Sequence, residues 1–89
     1  MAKPVRITEA GLALNGYHNI CAITVVKADS SDTLISFKNS LDDSSEILWG
    51  FFSTDKGTYP KNFIPPILFD TGVYVEITGL VHSVFIENN

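Results

Sequence analysis

The residue types that most often do chemistry in proteins are scarce in this chain. His18 and His82 are its only histidines, and Cys21 is its only cysteine. A cysteine nucleophile requires a neighbouring base, but Cys21 lies in the largely apolar run at positions 20–26, where it is most simply a small buried hydrophobe. The chain contains no Cys-x-x-Cys, His-x-His or His-x-x-x-His spacing. The sequence therefore predicts no zinc site and no thiol catalysis.

The acidic residues are more numerous, but their arrangement does not indicate catalysis. The run at 42–46, Asp-Asp-Ser-Ser-Glu, lacks the glycine and the alternating ligands of a calcium loop. Asp29 and Asp32 fall in a second polar turn, and no glycine-rich loop follows a strand pattern to hold phosphates. We therefore predict no catalytic residues, no metal and no cofactor, and a protein that is not an enzyme.

Aromatic side chains are the remaining candidates for recognising a ligand. Trp49, Tyr59 and Tyr74 could form a stacking surface for a carbohydrate, since flat rings pack against the flat faces of ligands. The alternative is that these rings belong to the core and to a subunit interface, where aromatic residues supply large apolar area at small entropic cost. We favour the interface alternative.

The composition indicates a single small domain that associates with other proteins. The chain has 89 residues, of which 45% are apolar and only 18% are charged. So few charges leave apolar surface that must either face water or be covered by a partner. The net charge of −4, with no cluster of lysine or arginine, predicts no nucleic-acid binding. No apolar run approaches the roughly 20 residues of a membrane-spanning helix, so we predict no membrane partner either.

The pattern of alternating apolar residues predicts an all-β fold: a small antiparallel β-sandwich or jelly-roll-like barrel of about seven short strands. Residues 1–15 are predicted as an N-terminal arm or edge strand, with a loop at 9–16, and residues 16–89 as the sandwich domain of a single-domain protein. A loop is also predicted at 54–61, and Pro65 and Pro66 place their segment at a sheet edge. The predicted strands are 3–8, 17–28, 33–39, 46–53, 62–69, 73–78 and 81–87.

Two of these expectations concern local geometry. Gly79 and Leu80 separate the last two strands, so we predict a tight hairpin in which Gly79 supplies a positive φ. In the long strand at 17–28, strict alternation places Cys21 with Ile23 and Val25 on one face and Ile20 on the opposite face.

Several short motifs resemble those of a known group of proteins. Together they are similar to the small β-sandwich virion structural proteins of tailed bacteriophages, and the resemblance covers residues 16–88. The matching motifs are Gly16-x-x-x-Ile20, Asp-Ser-Ser-Asp-Thr-Leu at 29–34, Glu-Ile-Leu-Trp at 46–49, Gly-Thr-Tyr at 57–59 and Phe-Asp-Thr-Gly-Val-Tyr-Val at 69–75.

The resemblance implies a non-enzymatic virion protein present in many copies. We expect a capsid decoration or cement protein on the capsid surface, made in the host cytoplasm, that bridges copies of the major capsid protein and associates with itself as a dimer or trimer. The alternative is a tail, neck, spike or fibre component, with carbohydrate binding through the aromatic residues above. The residues predicted to contact the partner are Pro4, Val5, Ile7, Tyr59, Phe63 and Ile64.

Overall fold

The computed structural model describes residues 3–43 and 46–88. Within them the chain forms eight β-strands joined by short turns. The strands are β1 (Lys3–Ile7), β2 (Gly11–Asn15), β3 (His18–Lys27), β4 (Thr33–Asn39), β5 (Ile47–Ser53), β6 (Gly57–Phe69), β7 (Gly72–Thr78) and β8 (Ser83–Asn88).

The strands pack as two four-stranded antiparallel sheets, which confirms the predicted all-β sandwich. Sheet A has the order β1-β8-β3-β6, and sheet B has the order β2-β7-β4-β5. Each strand of the first half of the chain therefore pairs with one of the second half: β1 with β8, β2 with β7, β3 with β6 and β4 with β5. This is the strand arrangement of a jelly roll. In the described ranges the two sheets face each other as layers and do not close into a barrel.

The core lies between the sheets and follows directly from the alternation of apolar residues along the central strands. On β4 and β7, Ile35 pairs with Ile77 and Phe37 pairs with Val75, so their side chains project to the same inner face. On β3 and β8, Ile23 pairs with Ile86 and Val25 pairs with Val84. The apolar residues with no solvent exposure are Ile20, Ile23, Val25, Ile35, Phe37, Phe69, Val73, Val75, Val84 and Ile86.

One charged residue closes an end of this core. Lys27, the last residue of β3, is only 3% exposed. Its Nζ donates a hydrogen bond to the Ser53 carbonyl oxygen at 2.9 Å and another to the Ser31 carbonyl oxygen. Lys27 therefore joins the ends of β3 and β5 to the turn before β4, and its buried ammonium group is compensated by two carbonyl acceptors.

The predicted hairpin between the last two strands is wrong. β7 lies in sheet B between β2 and β4, whereas β8 lies in sheet A between β1 and β3. The chain therefore crosses from one sheet to the other at Gly79 and Leu80. Gly79 does adopt the expected positive φ, 98°, but it does so at a crossover and not at a two-residue hairpin turn. Local sequence signals the turn, but the choice of pairing partner is made by the whole sheet.

The N-terminal residues form edge strands of both sheets. β1 pairs with β8 at the edge of sheet A, and β2 pairs with β7 at the edge of sheet B. The loop predicted at 9–16 is therefore wrong over most of its length, because Gly11 and Asn15 bound a strand. The first two residues of the predicted arm lie outside the described part of the chain.

Strands β3 and β6 also differ from the sequence prediction. The register of β3 shifts between Ile20 and Ala22, which turns Ile20 into the core and leaves Cys21 half-buried outside it. Strict alternation placed these two residues the other way round. β6 begins at Gly57, inside the predicted loop at 54–61, and remains at the edge of sheet A as its prolines predicted.

Candidate interaction surfaces

The structure does not bring the three predicted stacking residues to one surface. Trp49 projects inward, and its ring centroid lies 5.4 Å from that of Phe37 and 5.4 Å from that of Phe63. Tyr59 also projects inward and stacks on Phe51 at a centroid distance of 5.2 Å. Tyr74 lies on the opposite, outer face of sheet B, since it pairs with Lys38 and Leu12.

The inward rings have a structural role where the two sheets meet at one side of the sandwich. Trp49 and Phe51 lie on β5, the edge of sheet B, and Tyr59 and Phe63 lie on β6, the edge of sheet A. The Tyr59 hydroxyl donates to the Asp55 carbonyl oxygen at 2.7 Å, which satisfies the polar end of the ring. These four aromatic residues close this side of the core.

The six predicted partner-contact residues divide into exposed and core positions. Ile64 is 95% exposed, and Pro4 is exposed as well. Phe63 is only 9% exposed and belongs to the core. Ile7 and Tyr59 are half-buried and pack against the core, and Val5 is half-buried opposite Ile86. Of these positions, Ile64 and Pro4 present their side chains most freely to a partner.

A larger apolar surface lies on the outer face of sheet B, and we call it the apolar face. Leu34 pairs with Phe52 across β4 and β5, and Leu12 pairs with Tyr74 across β2 and β7. Paired residues share a face, and none of these has a counterpart in sheet A to cover it. The apolar face consists of Leu12, Leu34, Ile47, Leu48 and Phe52, which are between 44% and 62% exposed, together with half-buried Tyr74.

The charges of the apolar face are paired with each other. The Lys38 Nζ lies 2.7 Å from a Glu76 carboxylate oxygen, and it also donates to the Asp43 carbonyl oxygen at 3.0 Å. A partner covering this face would meet a neutral ion pair surrounded by aliphatic and aromatic side chains. Such a composition, apolar with charges neutralised, is typical of the centre of an interface.

Sequence reasoning identified only part of the apolar face. The segment 46–53 is apolar on both faces, and this pattern indicates that Leu48 and Phe52 share a face opposite to that of Trp49 and Phe51. Leu12 had no such signal, because β2 was predicted as a loop. The outer face of sheet A differs: Arg6 Nε donates to the Ser83 hydroxyl oxygen at 2.9 Å there, and the exposed large apolar residues of sheet A, Ile64 and Leu68, both lie on β6.

The histidine and cysteine side chains, which most often take part in catalysis, each bond to a different group. The His18 Nε2 lies 2.9 Å from the Asn15 carbonyl oxygen, and the His82 Nδ1 lies 2.9 Å from the Ser83 hydroxyl. The Cys21 thiol donates to the Glu87 carbonyl oxygen at 3.4 Å. Across 3–43 and 46–88, no three metal-ligating side chains form a group that could hold an ion. Ser44 and Ser45 of the predicted acidic run lie outside those residues.

Two surface carboxylates are stabilised in their ionised form by hydrogen bonds. Bonds from the Ser31 hydroxyl and backbone amide lower the pKa of Asp29 below its usual value. Bonds from the Asn39 side-chain amide and the Thr71 hydroxyl lower the pKa of Asp70 in the same way. Both groups lie in turns at the ends of the sandwich, so their role is to fix those turns.

Comparison with protein-family models, with curated proteins and with solved structures finds no match to this chain. The described residues also contain no helix that is long and apolar enough to cross a membrane. Functional inference therefore rests on the surfaces described above.

Proposed function

We propose that this protein is a non-enzymatic virion structural protein of a tailed bacteriophage, and specifically a capsid decoration or cement protein. In this proposal it attaches to the outer surface of the capsid and bridges neighbouring copies of the major capsid protein. It acts there through binding alone, with no cofactor.

The observation that carries the proposal is the apolar face of sheet B. Five large aliphatic or aromatic side chains lie on this one face, and each is 44–62% exposed to water. Burying one such side chain fully is worth about 1.5–3 kcal/mol, so covering the half that is exposed on each of them supplies several kcal/mol of binding free energy. Surfaces of this kind mark places where another protein docks.

The fold and the sequence resemblance support the same class of function. Jelly rolls are common in viral capsid proteins and in lectins, but a fold alone does not define an activity. The virion assignment comes from the resemblance of residues 16–88 to small phage structural proteins. The apolar face adds a physical reason for such a protein to be held in an assembly.

Ile64 is the second element of the proposed contact. Its side chain is 95% exposed at the edge of sheet A, next to two exposed prolines. An isolated, fully exposed isoleucine gains the most from insertion into a pocket of a partner, because all of its apolar area is then removed from water. We expect it to act as an anchor beside the larger apolar face.

Binding of the purified protein to capsid shells tests the proposal. The shells should be assembled from the major capsid protein encoded with this chain, and unassembled capsid protein serves as the comparison. We expect Leu12→Ser combined with Leu34→Ser, and separately Ile64→Ser, to weaken binding at least about tenfold. Tyr17→Ser is the matched control, because Tyr17 is 65% exposed but lies off the apolar face in the turn before β3.

The outcomes separate the candidate roles. Binding to shells that is lost in the apolar-face variant and kept in the Tyr17 variant supports decoration. Binding that is absent from shells but present on purified tails or necks would move the assignment to the alternative structural role. The carbohydrate-binding alternative has less support from the geometry, because Trp49 and Tyr59 project inward while Tyr74 projects outward.

A further inference from the structure

We propose that β5 pairs with β5 of a second copy of this chain, antiparallel and about a two-fold axis at Gly50, so that two four-stranded sheets join into one eight-stranded sheet. The pairing does not depend on the capsid. It uses the edge of sheet B, whereas the proposed capsid contact uses the outer face of that sheet. The four edge strands of the sandwich differ in how well they are protected against such pairing.

Three of the four edges carry features that prevent pairing with another chain. β1 contains Pro4 and Arg6, and β6 contains Lys61 and three prolines. β2 is only five residues long, and its register is interrupted between Leu12 and Leu14. Prolines, charges, short length and irregular register are the devices by which natural sheets protect their edges.

β5 lacks this protection. It is seven residues long, Ile-Leu-Trp-Gly-Phe-Phe-Ser, with no proline and no charged residue. Its register shift lies at its first residues, where Ile47 pairs with Lys38, and leaves 49–53 in regular pairing with β4. Within residues 3–43 and 46–88 no strand pairs with the free side of β5, which presents an uncharged row of backbone groups flanked by apolar side chains and is a template for another strand.

The β5 sequence is complementary to itself about Gly50. In an antiparallel pair centred there, Trp49 lies opposite Phe51 of the second copy and Leu48 lies opposite Phe52, and each contact occurs twice. Trp49 and Phe51 project to the inner face, and Phe52 projects to the outer face with its partner Leu34. Leu48 lies at the register shift and is 44% exposed, so the second pair meets on the solvent side of the sheet. Aromatic–aromatic and aromatic–aliphatic pairs across strands are favourable.

The charge of this edge is compatible with contact between two copies. Two identical chains of net charge −4 repel each other, so their contact must lie where neither presents carboxylates. β5 meets this condition along its whole length. Lys38 on the adjacent strand is already paired with Glu76 and adds no net charge beside it.

The area of the contact predicts a weak dimer. A seven-residue strand is about 24 Å long, and the shortest dimension of the molecule is 18 Å. The footprint is thus roughly 400 Å² on each copy, half of a standard interface. We expect association in free solution at high protein concentration only. When copies are held close together by a common support, their high effective concentration would populate the pair.

Two double variants at the same positions test the register. Residues 48 and 52 of one chain are about 13 Å apart, because strand residues rise about 3.3 Å each, so charges placed there interact weakly within a chain. Across the proposed two-fold they face each other. Leu48→Lys with Phe52→Lys places like charges opposite, whereas Leu48→Lys with Phe52→Glu places opposite charges together. Leu48 and Phe52 both have solvent-exposed side chains, so both variants should fold as the wild type does.

Sedimentation equilibrium from about 10 µM to about 1 mM gives the dissociation constants, a range that spans weak to moderate affinity. We expect the wild type and the Lys/Glu variant to dimerise, and the Lys/Lys variant to dimerise at least about tenfold more weakly than the Lys/Glu variant. The Lys/Lys variant has a net charge of −2, against −4 for the other, so general repulsion would act in the opposite direction. A monomeric wild type at about 1 mM, or equal constants for the two variants, would overturn the proposal.

This result is separate from the proposed function. Capsid binding is measured with the Leu12 and Leu34 variants, which leave β5 unchanged. A wild-type protein that binds shells but stays monomeric at about 1 mM would reject the β5 pairing only. A wild-type protein that dimerises but does not bind shells would reject the capsid role only.

Discussion

Gly79 provides the sharpest test of the path that the chain takes between its last two strands. A Cβ atom placed on Gly79 would lie 2.1 Å from the Asp32 carbonyl oxygen, 3.1 Å from the Asp32 carbonyl carbon and 3.2 Å from the Thr33 Cα. All three are backbone atoms, which cannot move aside as the tip of a side chain can. The contact exists because the chain crosses between sheets here, next to the start of β4.

The cost of Gly79→Ala has two parts. The positive φ of 98° strains any residue that has a Cβ, at about 1–3 kcal/mol. The overlap with the Asp32 carbonyl adds the cost of overpacking, about 1–3 kcal/mol more. The sum, roughly 2–6 kcal/mol, is a large part of the free energy of unfolding of a small domain.

Gly16→Ala is the matched control. Gly16 also has a positive φ, 84°, but a Cβ there would have no atom within 4 Å. Gly16→Ala should therefore lower the free energy of unfolding only by the cost of the positive φ. Urea unfolding followed by the fluorescence of Trp49, the single tryptophan, gives both free energies. We expect Gly79→Ala to be about 2 kcal/mol more destabilising than Gly16→Ala. Equal losses for the two variants would refute the crossover geometry, because a glycine in an exposed hairpin turn has no such contact.

Two further predictions concern polar groups. Thr33 is fully buried, and its hydroxyl donates a hydrogen bond to the Leu80 carbonyl oxygen at 2.6 Å. Thr33→Val should therefore lower the free energy of unfolding by about 1–2 kcal/mol in the same urea assay. An unchanged free energy of unfolding would contradict that bond. The pKa of Asp70 is lowered in the folded protein by its bonds from Asn39 and Thr71, so the stability it contributes is present above pH 4 or so and is lost as the pH falls through the folded-state pKa. Unfolding measured from neutral to acidic pH should show a smaller acid-induced loss for Asp70→Asn than for the wild type, and identical profiles would argue against this role.

The sequence was sufficient for the fold class because the core strands alternate strictly. Thr33–Asn39 and Gly72–Thr78 place apolar residues at every second position, and both form central strands with buried inner faces. The edge strand with Pro65 and Pro66 was predicted for the same kind of reason, since proline cannot donate a ladder hydrogen bond.

The features that sequence reasoning missed depend on contacts between distant residues. The β3 irregularity at Cys21 is set by its pairing with β6 and β8, and alternation within the strand carries no sign of it. β2 was missed because Gly11 and Asn15 are turn residues by local preference, yet the edge of sheet B accepts them. β8 pairs with β1 and β3, which lie far from it along the chain, and no local pattern in residues 81–87 indicates those partners.

The candidate surfaces show the same division. Ile64 is one of the residues predicted to contact a partner, and it is the most exposed large apolar side chain among the described residues. The same prediction included Phe63, which turns inward to meet Trp49. Phe63 and Ile64 differ in this way because successive residues of a strand project to opposite faces. The apolar face needed the strand order itself, because it joins residues of β2, β4 and β5.

The most direct test of the proposed role is co-sedimentation of the purified protein with assembled capsid shells and with unassembled copies of the same capsid protein. We predict saturable binding to the assembled shells, with little binding to free subunits, because a bridging site exists only between neighbours. We also predict that the Leu12→Ser and Leu34→Ser double variant loses this binding while Tyr17→Ser retains it. Absence of the wild-type protein from the shell fraction at saturating concentration would contradict the decoration role.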